Sequence, residues 1–425
     1  MKVIYILPKI NDGGGIGDLF AEIRALRKFH LEMDVTIVSL ETAFSMRRML
    51  DARALGIRLI VAPQKDTLQM LLPNADLVVI SYWNHPLLTD FLIWWSLQLF
   101  QIPLVLNVLV NGLTLPQVLP EWVVQCASGI LYTHPDTMRE QKEESLPDML
   151  LFTQPFVSLP EIENRPKRDF SGNFVAFYAG SLNRFKRLPA LFDLHDGIKL
   201  PNGSIEYWGA GEDPETINRL NKLEFGQYRG FSKNIYADFS NNHLLLNPQS
   251  HLSYGSYEKI RVECAWMGIP CLVLKESHIA AYVESGLNGI VATDEKEYVE
   301  KLRQIAMDPK DWKLLSESTY NHIRETYKLK ELAESTIDFY RKVCVVGSRT
   351  IEDNSLLPMT SLAQVLSGMG NWAERLKLHP DKLSALEIQY ALQCEGGLIH
   401  YANMGADDSE LLNLIDQLFR LLEKR

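Results

Sequence analysis

Short apolar runs alternate with stretches of helical periodicity along most of the chain. The first series reads KVIYILP, DLFAEIRALRKFH, DVTIVSL, IRLIVAP, ADLVVIS, PLVLNVLV and GILYTHP. Runs rich in Val, Ile and Leu predict strands covered on both faces, and strands that alternate with helices predict β-α-β units and a parallel sheet. After the charged, proline-containing stretch PEIENRPKRDF the rhythm restarts with NFVAFYAGS, PALFDLHDGI, SIEYWGAG, HLLLNP, EKIRVECAWMG, IPCLVLK and NGIVAT. A restart of this kind predicts a domain boundary within 158–170 and two α/β domains, 1–165 and 166–346. Residues 311–346 have helical periodicity without strands and are expected to cap the second domain or cross back to the first. Residues 350–425 predict three or four amphipathic helices, an extension separate from both sheets.

From Phe91 to Pro120 the chain carries no charged residue. Pro103 divides this segment, so a buried helix followed by a parallel strand fits it better than a membrane span. The tryptophan-rich half, FLIWWSLQLF, lies in a domain whose helices also carry Arg24, Arg27, Lys28, Arg47 and Arg48. Two readings follow: a core helix, or a face that rests peripherally on a membrane.

The 425 residues are 46% hydrophobic, enough to give each domain a core. A net charge of -10 repels phosphodiester backbones, and nucleic acid is not an expected partner. Cys126, Cys264, Cys271, Cys344 and Cys394 show no CxxC spacing and read as buried thiols of a cytoplasmic protein. The opening apolar run is too short for an export signal and reads as a first strand.

Candidate chemistry lies in loops that follow predicted strands. Gly13-Gly14-Gly15-Ile16-Gly17 precedes a helix, so Gly15 and Gly17 can let backbone amides approach a phosphate or sugar, or can simply let the helix pack on the sheet. In Gly180-Ser181-Leu182-Asn183-Arg184-Phe185-Lys186-Arg187, cations that follow a strand-ending glycine can neutralise a diphosphate. Gly209 and Gly211 flank a second backbone-amide turn. The loop 251–258 leads into a helix that carries Glu263, a carboxylate suited to ribose hydroxyls or to pairing with Arg261 or Lys259. Asn84, His85, Asn107, Asn111 and His134 lie at or just after strand ends of the first series, where open α/β sheets gather ligands.

Taken in order, a strand glycine with Lys186 six residues on, Gly-x-Gly, a glycine-containing loop, Glu263 before Ala265 and Gly268-x-Pro270, and Glu284-x-Gly286-x-Asn288-Gly289 resemble the retaining glycosyltransferases of family 4. That resemblance implies a GT-B fold, two Rossmann-like domains facing a central cleft. It further implies a nucleoside-diphosphate sugar as donor, without a cofactor, and transfer of a hexose-type sugar to a hydroxyl of a glycan, a glycolipid or a small molecule. Arg184 and Lys186 would stabilise the departing diphosphate, Glu263 would bind ribose, and Phe231 and Ser232 would lie near the base. Gly180, Asn183, Gly209, Gly211 and the segment Gly255-Ser256-Tyr257-Glu258 would complete the donor site.

Two departures stand out. Ser181 occupies the family's arginine position. Gly255 occupies the place of the first of two glutamates eight apart, and the nearest acid, Glu258, is out of register. No Asp-x-Asp occurs in the chain, so transfer without a metal is expected. A sugar-nucleotide epimerase and a degenerate binding scaffold share this architecture. The helical extension is a candidate for dimerisation or partner binding.

Overall fold

The computed structural model describes residues 1–425 apart from 12, 30–32, 43–44, 161–172, 183–184, 186–194, 196–197, 199, 201–202, 210–213, 225, 352 and 405–407. Contacts divide the chain into two units, Met1–Phe156 with Leu329–Arg425, and Val157–Lys328.

In the first unit, β1 (Lys2–Leu7), β2 (Asp34–Ser39), β3 (Arg58–Val61), β4 (Leu77–Tyr82), β5 (Leu104–Val108), β6 (Gly129–Tyr132) and β7 (Met149–Phe152) form a sheet ordered β3-β2-β1-β4-β5-β6-β7. Every pairing is parallel. The order reverses between β1 and β4, which creates a switch point at their C-terminal ends. All of β4 is buried, as an apolar run covered on both faces requires.

The uncharged segment becomes the helix Pro86–Gln98 followed by β5. His85 caps that helix, Pro86 opens it, and Leu99 ends it in the left-handed region. Phe91, Leu92, Trp94 and Trp95 are all buried, so the core-helix reading holds and the membrane-face reading of this helix does not. Among the described residues no helix is long and apolar enough to cross a membrane.

Of the two placements open to residues 311–346, the helix Leu329–Val346 takes the crossing back to the first unit, so the second unit ends at Lys328 rather than at 346; Ile337, Phe339, Tyr340 and Val343 enter the core built on β1, β2 and the helix Gly14–Phe29. The tail belongs there too. Its helices Ser361–Ser367, Trp372–Leu378, Ala385–Gln393, Leu398–Asn403 and Ser409–Glu423 are anchored by buried hydrogen bonds to the β4 and β5 loops, so the tail is part of the unit's packing.

In the second unit, β8 (Phe174–Ala179), β9 (Gly203–Trp208), β10 (Gly226–Gly230), β11 (Leu244–Asn247), β12 (Cys271–Leu274) and β13 (Gly289–Ala292) are ordered β10-β9-β8-β11-β12-β13, again all parallel. This is the same doubly wound pattern, with its switch point between β8 and β11. Apolar residues on the two faces of the sheet form two cores, one centred on Tyr207, Tyr298 and Trp312 and the other on Phe177, Phe239 and Val273. Cys126, Cys264, Cys271 and Cys394 are buried thiols outside any disulfide, and Cys344 is half-buried.

One buried carboxyl joins the first unit's sheet to its returning helix. Tyr5 and Tyr340 donate to Glu22 Oε1 at 2.9 and 2.7 Å. Burial raises the Glu22 pKa to about 7, against the pull of those two hydroxyls. A carboxyl whose folded pKa exceeds its unfolded value gives stability that is complete at low pH and is lost as pH rises through the folded pKa. Between about pH 4.5 and 7 the first unit should therefore lose on the order of 3 kcal/mol relative to Glu22→Gln. Urea unfolding of both proteins across this range measures the difference, and a difference that stays constant with pH would contradict the assignment.

Candidate functional site

The parallel strands of the second sheet all end on one edge, so the loops after β10, β9, β8 and β11 lie side by side in that order. Those four loops hold most of the described members of the expected donor site; Glu263 lies on the helix that follows the last loop, and Gly15 and Gly17 lie in the first unit. Gly180 ends β8 with φ 152° and its N–H donates to the Trp208 carbonyl at 3.0 Å. Gly209 ends β9 with φ 153° and donates to the Gly230 carbonyl at 2.9 Å. A β-carbon on Gly209 would lie 1.9 Å from the Gly180 oxygen, so only glycine allows these two ends to approach. Tyr228 Oη donates to the Gly209 carbonyl at 3.1 Å, and Tyr178 Oη to the Ser181 carbonyl at 2.7 Å, which pins both turns.

After β10, Phe231 is exposed and Ser232 Oγ bonds Asp238 at 2.6 Å. Asn183, Arg184, Lys186 and Gly211 lie outside the described residues.

The β11 loop is built from buried polar residues, among them Asn247, Gln249, Ser250, Ser253 and Ser256. A polar loop is buried only when its groups are satisfied from within. Ser253 Oγ bonds Gln249 Oε1 at 3.2 Å, the Gly255 N–H donates to Ser253 Oγ at 3.4 Å, and Gln249 Nε2 donates to Glu258 Oε1 at 3.1 Å. Tyr257 packs on Tyr282 with ring centroids 4.6 Å apart, and the Arg261 guanidinium lies 4.4 Å from the Tyr257 ring. Gln249, Ser253 and Arg261's stacking role escaped the sequence reading. Polar side chains in a loop look like ordinary surface until their burial is known. Glu258 stands at the N-terminus of the helix Lys259–Trp266 with φ 53° and ψ 102°, rare for a residue with a side chain. Glu263 lies one turn and a half further along that helix, half-buried, close enough to Tyr236 to raise its pKa together with burial, the larger cause.

In the first unit, Gly15 and Gly17 are inside the opening of the helix Gly14–Phe29, one turn earlier than a free loop would have placed them. A β-carbon on Gly15 would lie 2.9 Å from Leu109, which gives that glycine a packing role. Asn84 and His85 follow β4 at the switch point, and both are buried. Asn84 Nδ2 donates to the carbonyls of Pro116 and Gly396 at 2.7 and 3.3 Å, and Tyr401 Oη donates to Asn84 Oδ1 at 2.8 Å. His85 Nδ1 accepts from the Leu87 N–H at 3.2 Å, and its ring meets His400 edge-on at 4.6 Å. Burial, then the neighbouring His400 and Lys9, hold the His85 pKa down to about 2, so its imidazole is neutral.

Asn111 and His134 are buried in local turns. Asn111 Oδ1 accepts from Leu113 N–H at 2.9 Å, and His134 Nδ1 from Asp136 N–H at 3.2 Å. Asn107 sits within β5. The tail residues Glu395, Gly396, His400 and Tyr401 that close over β4 carry no local sequence signal for that role.

An open groove of about 670 Å³ beside β13 and the helices Glu295–Met307 and Pro309–Thr326 contains none of the expected site residues. The convergence of strand ends and buried polar groups makes the β8–β11 edge the better candidate.

No protein-family model matches the chain, and no curated protein matches its sequence. Solved structures do match its fold. HepE of Anabaena, in complex with UDP and glucose, aligns with a TM-score of 0.63 at 14% identity, over 80% of this chain and 100% of HepE. The sucrose-phosphate synthase of Thermosynechococcus elongatus aligns with a TM-score of 0.60 at 13% identity, over 81% of this chain and 99% of the synthase. A glycosyltransferase of Rickettsia africae aligns with a TM-score of 0.58 at 11% identity, over 80% and 98%. The chain thus has the GT-B fold of glycosyltransferases, two parallel-sheet Rossmann-like units with a helical C-terminal region.

The close approach of Gly180 and Gly209 is directly testable. Gly209→Ala should destabilise the second unit by about 2 kcal/mol or more, since the new methyl group must push two strand ends apart. Denaturant unfolding read on that unit's transition checks this, and an unchanged midpoint would show that the two ends do not meet as described.

Proposed function

We propose that the chain is a glycosyltransferase that holds a nucleoside-diphosphate sugar at the strand-end edge of its second sheet. The sugar passes to a hydroxyl of a glycan, glycolipid or small-molecule acceptor, which we assign to the first unit. The observation that carries this reading is the junction of Gly180, Gly209 and the buried polar loop 247–258 on adjacent parallel strand ends. Backbone amides there, together with the N-terminus of the helix Lys259–Trp266, suit an anionic diphosphate. Two of the fold neighbours support the donor class, one holding UDP and glucose and another UDP-glucose.

In the reaction the bond between the anomeric carbon and the diphosphate oxygen breaks, and a bond to the acceptor oxygen forms. Charge develops on the leaving diphosphate, and groups aimed at that charge lower the barrier. Arg184 and Lys186 are assigned that role, without a metal and with retention of configuration. Glu263 is assigned to the ribose hydroxyls.

The test is a thermal-shift screen of the purified protein against UDP, GDP, dTDP, ADP and their sugars. One nucleotide and its sugar should stabilise the protein, by about 2.7 kcal/mol at a hundred times Kd. Lys186→Ala and Glu263→Ala should weaken that shift at least tenfold in apparent affinity. If no nucleotide stabilises the wild type, or if both variants bind it unchanged, the reading is wrong.

A further inference from the structure

We propose that Glu258 is the carboxylate that receives the hydroxyl groups of the transferred sugar, swung back over Gly255 to supply an acid that position 255 lacks. The inference rests on the donor reading above and adds what faces the sugar.

The geometry is specific. Gly255 is buried and its backbone lies outside the left-handed region, so nothing in the main chain there demands glycine. A β-carbon on it would meet Glu258 Oε1 at 2.4 Å and Gln249 Oε1 at 3.2 Å. The Glu258 carboxylate therefore occupies the space into which a side chain at 255 would project. To reach it, Glu258 takes φ 53°, a strained conformation for a residue with a β-carbon. Such strain persists only where the surroundings over-determine it, and it collects at ligand sites.

The surroundings here are a relay of buried groups. The Gly255 N–H is held on Ser253 Oγ, Ser253 bonds Gln249, and Gln249 Nε2 donates to Glu258 Oε1. Gln249 is 3% exposed and Ser253 0%. Glu258 itself is half-buried at a helix N-terminus.

Ligand chemistry follows from charge. A carboxylate repels a diphosphate, so at the edge of a diphosphate site it addresses the uncharged, hydroxyl-bearing part of the donor. Sugar hydroxyls donate to carboxylates in charge-assisted hydrogen bonds. Glu258 should then distinguish a nucleoside-diphosphate sugar from the bare nucleoside diphosphate.

The experiment is calorimetric titration of the full-length protein with UDP and UDP-glucose, with the GDP and dTDP pairs in parallel. Glu258→Gln should leave affinity for the bare diphosphate within about twofold and lower affinity for its sugar conjugate about tenfold or more. Gly255→Ala, whose methyl group displaces the carboxylate, should do the same. The exchange Gly255→Glu/Glu258→Gly, which moves the acid to 255 and relieves the strained φ, should restore sugar-conjugate affinity to within about threefold of wild type. Equal losses for both ligands, no loss for either, or an exchange variant that melts like wild type without recovering the sugar conjugate would each overturn the proposal. Failure of the wild type to bind any of the bare diphosphates would instead overturn the donor reading on which it rests.

Discussion

Two parallel strands finish side by side at Gly180 and Gly209 with so little room between them that a single β-carbon would strike a carbonyl oxygen. That near-contact brings the turns after β8 and β9 together and sets the Gly230 end of β10 against them through the Gly209 N–H. On the other side of β8, β11 supplies a loop whose polar side chains are buried and bonded to one another. Backbone amides, a helix N-terminus and one strained carboxylate are thus collected on one edge of one sheet. Each is modest alone. Their adjacency follows from the parallel order and the switch point.

The first unit has the same sheet pattern, and its switch point has a different fate. Asn84 is bonded from three sides, two of its partners contributed by residues near position 400. A Lys9–Glu395 ion pair at 3.0 Å and the edge-on contact of His85 with His400 fasten the same region. The half-exposed pair contributes little by itself, whereas the buried amide would leave unsatisfied polar groups if the tail were absent. About a fifth of this chain lies outside its alignment to HepE, although HepE is covered end to end. Through these contacts the tail is part of how this unit closes its own switch point.

Much of this was legible from residue order. The strands β1 to β6, β8, β9 and β11 to β13 coincide with apolar runs, because burial on both faces demands them. The edge strands β7 and β10 escaped notice. In β10, Gly226–Gly230, the residues alternate between half-buried and exposed and form no apolar run. Gly180 and Gly209 fall on adjacent strand ends because a glycine after a strand reports a backbone constraint that is local. Gln249 and Ser253 were not distinguished from surface residues, since only the folded loop shows that they are buried. The sequence leaves the partner of the helix Leu329–Val346 open and gives the tail none, for the same reason. Their amphipathic faces predict that they pack, but not on which sheet, and Tyr340 finds Glu22 across more than three hundred residues of chain.

The most direct test of the account is hydrogen exchange measured on the protein with and without a saturating nucleoside diphosphate. If the strand-end edge of the second sheet is the donor site, exchange should slow in peptides that contain Gly180, Gly209 and residues 247–258, while Gly13–Gly17 and the groove beside β13 remain unchanged. Slowing confined to either of those other regions, or none at the strand ends with UDP, GDP, dTDP or ADP, would contradict it.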